Sequence, residues 1–350
     1  MIDLIQYGWN TYFEEHYKNS QNHGLPVGRV VADFGQKLRI MTQKGEVSAI
    51  KAPHFYHGYG GEIPAVGDWV IYKEWEDQTE PMILEVIKRK TKFSRAAAGI
   101  ELKEQVAASN MDVVFLIQSL NKDFNLRRLE RYLIAAWESG AVPIVVLTKA
   151  DICSDVDNKL AQVYDTAKGV DVVVVSAVSG QGLEDLNKYL MPGKTIALLG
   201  SSGVGKSTLV NTLAGREILK TQEIREGDAR GRHTTTHREL VLLPQGGLIL
   251  DTPGMRTLSL WEADEGMTEV FGDVEQITAR CRFSDCLHQN EPGCAVRKAL
   301  QDGSLSEKRW NNWLKLQKEL LFLDQKKNGK LREESKKRNK AMSKIQKNFK

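Results

Sequence analysis

Cysteine is scarce in this chain, with four in 350 residues, too few for a disulfide scaffold. Three of the four crowd within 14 positions, which suits a metal site in a reducing compartment. Long hydrophobic runs are missing as well. The longest, such as 141-AVPIVVL-147, fall far short of the ~18 apolar residues a membrane span needs and have the length of buried strands. The first twenty residues carry early acids and no small-residue cleavage site behind an apolar stretch, which argues against a secretory signal. These absences lead to the expectation of a cytoplasmic protein. An apolar fraction of 41% and a charged fraction of 27% lie near globular averages and exclude a disordered polymer or a fibre. The length is enough for two or three domains.

The net charge of +4 conceals an asymmetry. Residues 308–350 hold 15 Lys or Arg against 4 Asp or Glu, so the remainder is negative by about 7. The end of this arm, 326–350, has too little apolar surface to fold alone; it is expected to be a disordered tail that counterion release would draw to a polyanion. A solvated tail that aids solubility is the bland alternative.

Residues 1–24 read as a short amphipathic helical extension carrying Leu4, Trp9, Tyr12, Phe13 and Tyr17. Five β-like runs separated by turn residues follow in 25–95 (GRVVAD, KLRIMTQ, EVSAIKAP, PAVGDWVIYKEW, PMILEVIKR), which suits a small barrel of the OB type. From 96 to 260, Val/Ile/Leu-rich strands beginning near 112, 143, 171, 195, 239 and 247 alternate with helical stretches (LRRLERYLIAAWES, NKLAQVYDTAK, LEDLNKYL, STLVNTLAG). That rhythm predicts a doubly wound α/β domain on a parallel sheet. A Cys/His cluster and a helical segment with Trp310, Trp313 and Leu320 occupy 261–325.

The string 200-GSSGVGKST-208 matches G-x-x-x-x-G-K-[ST], a pattern that chance alone would place in about one chain of this length in a hundred. An apolar strand before it and an amphipathic helix after it are what a phosphate loop requires. The backbone of Gly200, Ser201, Ser202, Gly203, Val204, Gly205 and Thr208 would curl N–H groups toward phosphate oxygens. Lys206 would neutralise the β- and γ-phosphates, and Ser207 would supply an oxygen to Mg²⁺. A second piece, 251-DTPG-254, closes the strand GLIL; Asp251 would hold Mg²⁺ through water and the Gly254 amide would sense the γ-phosphate. Between them lies 230-RGRHTTTH-237. One of Thr234, Thr235 and Thr236 would complete the Mg²⁺ shell; the string does not say which, and Thr235 stands for the three.

Base choice rests on 148-TKAD-151 after the strand PIVVL. The Asp151 carboxylate would accept from guanine N1–H and its 2-amino group, where adenine offers no donor, so the motif selects GTP over ATP. Lys149 would lie along the base. Ser176 and Ala177, ending the strand DVVVV, would frame the guanine oxygen through backbone N–H. A bare [NT]-K-x-D occurs in roughly one chain in ten, so strand context carries the weight. The base-reading loops here precede the phosphate loop, the reverse of an ordinary GTPase. Loops that emerge at one sheet edge tolerate such a circular permutation.

In this arrangement the chain resembles the bacterial ribosome small-subunit biogenesis GTPases called RsgA or YjeQ. PAVGDWV in the barrel, NKDFNLRRLERYL before the base-reading strand, GRHTTT in the switch and 281-CRFSDCLHQNEPGC-294 carry the likeness. The resemblance implies a GTPase of the cytoplasm that binds GTP or GDP with Mg²⁺, contacts 16S rRNA through its barrel and zinc module, and couples hydrolysis to docking on and release from the small (30S) subunit. A monomer without a membrane partner is expected. Thr148 stands where Asn is usual in the family, although a hydroxyl can donate to the base N7.

Cys281, Cys286, His288 and Cys294 offer three thiolates and one imidazole, a full tetrahedral set for one structural Zn²⁺ with no open position. Their spacing is not a common finger pattern, and buried thiols beside a surface His are the alternative. Cys153, alone beside TKAD, reads as a packing residue. Met255 occupies the place where Ras-like proteins use a Gln to hold the attacking water, and a thioether cannot orient water. Slow intrinsic turnover follows, stimulated by the partner, with His233 the leading candidate for the missing group and an RNA-contacting loop residue its alternative. Two other function classes remain: a nucleotide-responsive RNA-binding switch with negligible hydrolysis, and a GTP- or ATP-using small-molecule enzyme such as a kinase, where Asp151 argues against ATP and the basic arm against a purely small-molecule partner.

Overall fold

The computed structural model describes residues 1–56, 62–77, 79–96, 104–219, 238–251 and 263–325. Two compact units divide the chain, one of Met1–Arg95 with Val106–Leu258, the other of Ala96–Gln105 with Ser259–Lys350.

In the first unit, five short runs of alternating residues close on themselves. β1 (Val27–Asp33), β2 (Lys37–Thr42), β3 (Gly45–Lys51), β4 (Trp69–Lys73) and β5 (Met82–Val86) pair in the order β1-β2-β3-β5-β4, and β4 returns to β1. Closure turns the alternation into an inside and an outside. Val30, Leu38, Ile40, Ile71 and Ile83 are fully buried. The amino-terminal residues form two pieces where the sequence suggests one helix: a 3₁₀ turn (Leu4–Tyr7) and α1 (Thr11–Lys18). Gly8 at φ 89° separates them, and Asn10 caps α1 by accepting the Tyr12 N–H. Leu4 and Phe13 bury against Trp69, Ile71 and Ile87.

A short ladder, β6 (Lys92–Ala96) with β7 (Glu104–Ser109), leads out of the barrel. Beyond it β8 (Val113–Ser119), β9 (Val142–Thr148), β10 (Asp171–Val174), β11 (Thr195–Leu199), β12 (Arg238–Leu242) and β13 (Leu248–Asp251) line up as β10-β9-β8-β11-β13-β12. The helices are α2 (Leu126–Glu138), α3 (Val156–Thr166) and α4 (Lys206–Ala214). Five strands run parallel, as their near-continuous apolar composition predicts. β12 departs from that expectation. It lies antiparallel to β13 because the turn at 243–247, closed by Leu243 N–H to Gly247 O at 2.8 Å, is too short for a crossover. LEDLNKYL yields only a 3₁₀ turn (Glu184–Leu186), too short a segment for cooperative helix formation.

β12 also pairs with β1 of the barrel (Ala32 opposite Glu239), so one eleven-stranded sheet runs through both parts. Buried charge fixes this joint. Arg29, 1% exposed, donates to Gly67 O (3.2 Å), Asn110 O (3.1 Å) and Tyr7 O, and so ties barrel, sheet and amino-terminal segment together. Burial pulls its guanidinium down to about 10 against the opposing fields of Asp112 and Asp68, which still leaves it charged at neutral pH. Asp68, fully buried, accepts from Arg89 Nε (2.8 Å), Arg89 Nη2 (2.7 Å) and Ala65 N–H (2.7 Å). Gly67, at φ 97°, approaches β7 so closely that a Cβ would stand 2.1 Å from Ser109 O. The PAVGDWV string is therefore a joint in the scaffold.

The second unit contains α5 (Asp264–Thr278), α6 (Ala295–Gln301) and a helix over 307–325. α5 kinks at Phe271 (φ −116°). Arg309 covers the kink: it donates to Val270 O (2.7 Å) and to both Asp273 oxygens (2.7 and 2.8 Å), and lies over the Phe271 ring.

Candidate nucleotide site and metal centre

Parallel strands deliver their carboxyl ends to one edge, and three loops meet there. β11 ends at Leu199 and the chain turns through 200–205 into α4. Gly205 holds the N-cap at φ 98°, a backbone state that side chains resist, and no side chain caps the helix. The first N–H groups of α4 are therefore left to serve an anion. Val204, 1% exposed, roots the loop in the apolar core with Phe115 and Leu209, while Ser202, Gly203 and Thr208 face outward and Ser207 is half-buried. Lys206 donates Nζ to Gly200 O (2.7 Å) and Ser201 O (2.6 Å).

β9 delivers TKAD beside that loop. Thr148 is buried, and its hydroxyl lies 2.6 Å from Val204 O and 3.3 Å from Gln118 O; its single proton belongs to the shorter bond. Lys149, in the left-handed region at φ 62°, donates Nζ to Gly203 O at 2.8 Å. Asp151 is exposed on a 3₁₀ turn (Ala150–Ile152), with Oδ1 accepting from Ser176 Oγ at 2.6 Å. Ser176 is fully buried just past β10. Its hydroxyl also accepts Ser179 N–H (3.2 Å) and its carbonyl Gly180 N–H (2.9 Å), and Ala177 follows half-buried. Asp151 and Ser176, 25 positions apart, thus share one corner. Cys153 is half-buried, 3.4 Å from Lys159 Nζ.

β13 lies alongside β11, Leu250 opposite Ala197, so Asp251 closes its strand at the edge that carries the phosphate loop. His233, Thr234, Thr235, Thr236, Gly254, Met255 and the 326–350 tail lie outside the described residues. One neighbour escaped the motif reading. Asp123, on the loop after β8, accepts the Ser201 hydroxyl at 2.6 Å. Its only trace in the sequence is its place in NKDFN just past an apolar strand.

In the second unit Cys281, Cys286, His288 and Cys294 bring their ligand atoms within 4.8 Å of one another. Cys281 Sγ lies 4.0 Å from Cys294 Sγ and 3.5 Å from His288 Nδ1, and Cys294 Sγ lies 3.6 Å from the same nitrogen. A tetrahedron with Zn–S of about 2.3 Å and Zn–N of about 2.05 Å has edges of roughly 3.8 and 3.6 Å, so the donor set fits zinc in both chemistry and spacing. Burial opposes ionisation of Cys281, yet hydrogen bonds from Val296 and Ala295, joined by those of the Cys286 and Cys294 thiols, outweigh it and hold the thiol below its usual range. Burial pushes Cys286 up to about 11, reinforced by the thiols of Cys294 and Cys281. His288 packs edge-on against Trp310, which stacks on Trp313. Cysteines and the tryptophan helix belong to one small core.

The profile of the RsgA GTPase family matches residues 86–261. That of the ABC transporter family matches 183–347, a stretch that includes the phosphate loop; among the described residues no helix is long and apolar enough to cross a membrane. The chain is 46% identical over 320 residues to the small ribosomal subunit biogenesis GTPase RsgA 1 of Listeria innocua, covering 91% of this chain and 90% of the relative. It is 42% identical to RsgA 1 of Oceanobacillus iheyensis, over 92% of each. Among solved structures it resembles YjeQ from Thermotoga maritima, with a TM-score of 0.60 and 27% identity over 85% of this chain and 98% of that one. YloQ, a circularly permuted GTPase, superposes with a TM-score of 0.58 at 24% identity over 85% and 96%, a likeness of fold alone. With about nine-tenths of its length aligned to relatives of that name, and with the strand that ends in TKAD set ahead of the strand that enters GSSGVGKS, this chain belongs to the RsgA family of circularly permuted GTPases.

Proposed function

We propose that this protein hydrolyses GTP and works as an assembly factor on the small ribosomal subunit, the role that its curated relatives are named for. The observation that carries the reading is the meeting of TKAD, the Ser176 corner and the phosphate loop at one edge of one sheet, cross-linked by bonds of 2.6 to 2.8 Å. Asp151, with one oxygen steadied by Ser176, reads the guanine edge. Ala177 and Ser176 frame the base oxygen, and Lys149 lies along the ring. The loop amides from Ser201 to Thr208 cradle the phosphates, and Lys206 leaves its two loop carbonyls to neutralise them. Ser207, Asp251 and one threonine of the 234–236 run, Thr235 in our assignment, supply hard oxygen donors suited to Mg²⁺. An ion held by these oxygens would supply positive charge to offset that of the phosphates. His233 orients the attacking water in place of the side chain that Met255 lacks.

Calorimetry with GTP and ATP in Mg²⁺ tests the foundation: equal affinity for the two nucleotides would end the reading. Cosedimentation with small subunits in a nonhydrolysable GTP analogue tests the partner and 16S rRNA contact. Phosphate release with and without subunits tests stimulated turnover, and its absence would leave a binding switch without hydrolysis. His233→Ala should abolish the stimulated rate while binding persists; an unchanged rate would remove His233 from the mechanism. The Cys/His set holds one structural Zn²⁺. Metal analysis should find one zinc per chain in the wild type and none in Cys294→Ser.

A further inference from the structure

Ser201 opens the phosphate loop with both ends of its residue engaged. Its carbonyl receives Lys206 Nζ at 2.6 Å, and its hydroxyl donates to Asp123 Oδ2 at 2.6 Å, across 78 positions of sequence. One residue thus connects the cation of the loop to a carboxylate on the loop that follows β8.

Asp123 is held through its backbone and its side chain, the latter 41% exposed. Asn121 Oδ1 accepts Asp123 N–H (2.9 Å) and Ser119 Oγ (2.7 Å). Gln118, 1% exposed, exchanges two bonds with the Asn125 backbone (2.9 and 3.1 Å), and Asn125 in turn caps α2. Arg128, from the first turn of α2, pairs with Asp123 Oδ2 at 2.8 Å and donates to the Asp123 carbonyl as well. A carboxylate beside a loop shaped for phosphate is unfavourable on electrostatic grounds. The Arg128 pairing cancels its charge and leaves a directional acceptor for Ser201. The loop is consequently gripped at two places, Gly203 and Val204 from β9, and Ser201 from the β8 side.

We infer that Asp123 is a positioning residue: by holding the Ser201 hydroxyl it sets the Ser201 peptide, and through that peptide the stance of Lys206 toward phosphate. The inference rests on the GTP-binding reading and deepens it, since it assigns the β8 loop to the phosphate end of the nucleotide and leaves the base to β9 and β10.

The test compares full-length wild type, Asp123→Ala, Asp123→Asn, Ser201→Ala and the Asp123→Ala/Ser201→Ala double variant, each titrated with GTP in Mg²⁺ and, by competition, with guanosine. Asp123→Ala and Ser201→Ala should each weaken GTP by about tenfold, the scale of a lost hydrogen bond to a charged group, with guanosine unmoved. Asp123→Asn, whose amide oxygen can still accept, should recover most of the loss. The double variant should be no weaker than either single one, because each already breaks the same bond. GTP affinity within twofold of wild type in Asp123→Ala, guanosine falling in step with GTP, or additive losses in the double variant would each overturn the inference. Wild type that shows no affinity for GTP would sink the GTPase reading itself, a failure distinct from these.

Discussion

The two ends of the central sheet are built on opposite principles. At the amino ends of β8 and β11, where the barrel joins, the joint is made of charge sealed from water: Arg29 and Asp68 at 1% and 0% exposure, satisfied by carbonyls, an amide and Arg89. At the carboxyl ends the loops are held by hydroxyls and lysines bonded to loop carbonyls, with Asp151 open to solvent. A buried ion pair is costly to assemble and ruinous to half-dismantle, which suits a joint that never opens. Single exposed hydrogen bonds are worth about 1 kcal/mol when neutral and about 1.5–3 kcal/mol when one partner is charged, and they can be exchanged for contacts with a ligand. Stability and ligand response are therefore separated along one sheet.

The largest effect should come from the sealed end. Arg89→Met strands the Asp68 carboxylate, and such a loss costs about 3–5 kcal/mol. Urea unfolding should show that deficit, while GTP affinity of the molecules that remain folded stays within a few-fold of wild type. A variant that unfolds normally but binds poorly would contradict the separation. At the open end the order reverses. On the proposed reading, Asp151→Asn takes away the acceptor for two guanine donors and should weaken GTP by roughly 100-fold. The nucleotide-free melting temperature should move little. Xanthosine triphosphate, whose 2-oxo group accepts where guanine donates, should regain affinity in this variant.

The strings that meet at the open end were legible in the sequence because glycines, Lys206 and Asp151 stand at fixed spacing behind apolar strands; phosphate and guanine as their ligands belong to the proposed function. The parallel strands were readable because burial on both faces leaves little but Val, Ile and Leu. The sealed end was not. Arg29 and Asp68 look like surface residues in a string, and only the fold shows that carbonyls from three segments surround one guanidinium. The β1–β12 pairing that fuses barrel and sheet is a backbone contact between edges and leaves no side-chain pattern. Nor do bonds such as Asp123 with Ser201, 78 residues apart, or Thr148 with Val204, 56 apart, announce themselves in either partner's neighbourhood. The direction of β12 was within reach, since a five-residue connection cannot cross over.

The smallest effect is the most discriminating, and it concerns Thr148, the position where the family usually has Asn. An Asn amide offers two protons, enough to serve a neighbouring loop and a base at once, whereas a hydroxyl has one. Here that proton lies in the 2.6 Å bond to Val204 O, in a residue only 3% exposed. Nothing is left to donate to the N7 of guanine. GTP and 7-deaza-GTP, which lacks that acceptor, should bind within about twofold of each other, and a tenfold preference for GTP would show the hydroxyl turned toward the base. Thr148→Val keeps the shape and removes the bond, so it should cost about 1 kcal/mol of stability and weaken both nucleotides alike, by only a few-fold. Thr148→Asn, by restoring the second proton, should bring back a preference for GTP over its 7-deaza analogue. A change confined to one atom of the base would then show that the β9 end acts on the phosphate loop first and on guanine through Asp151.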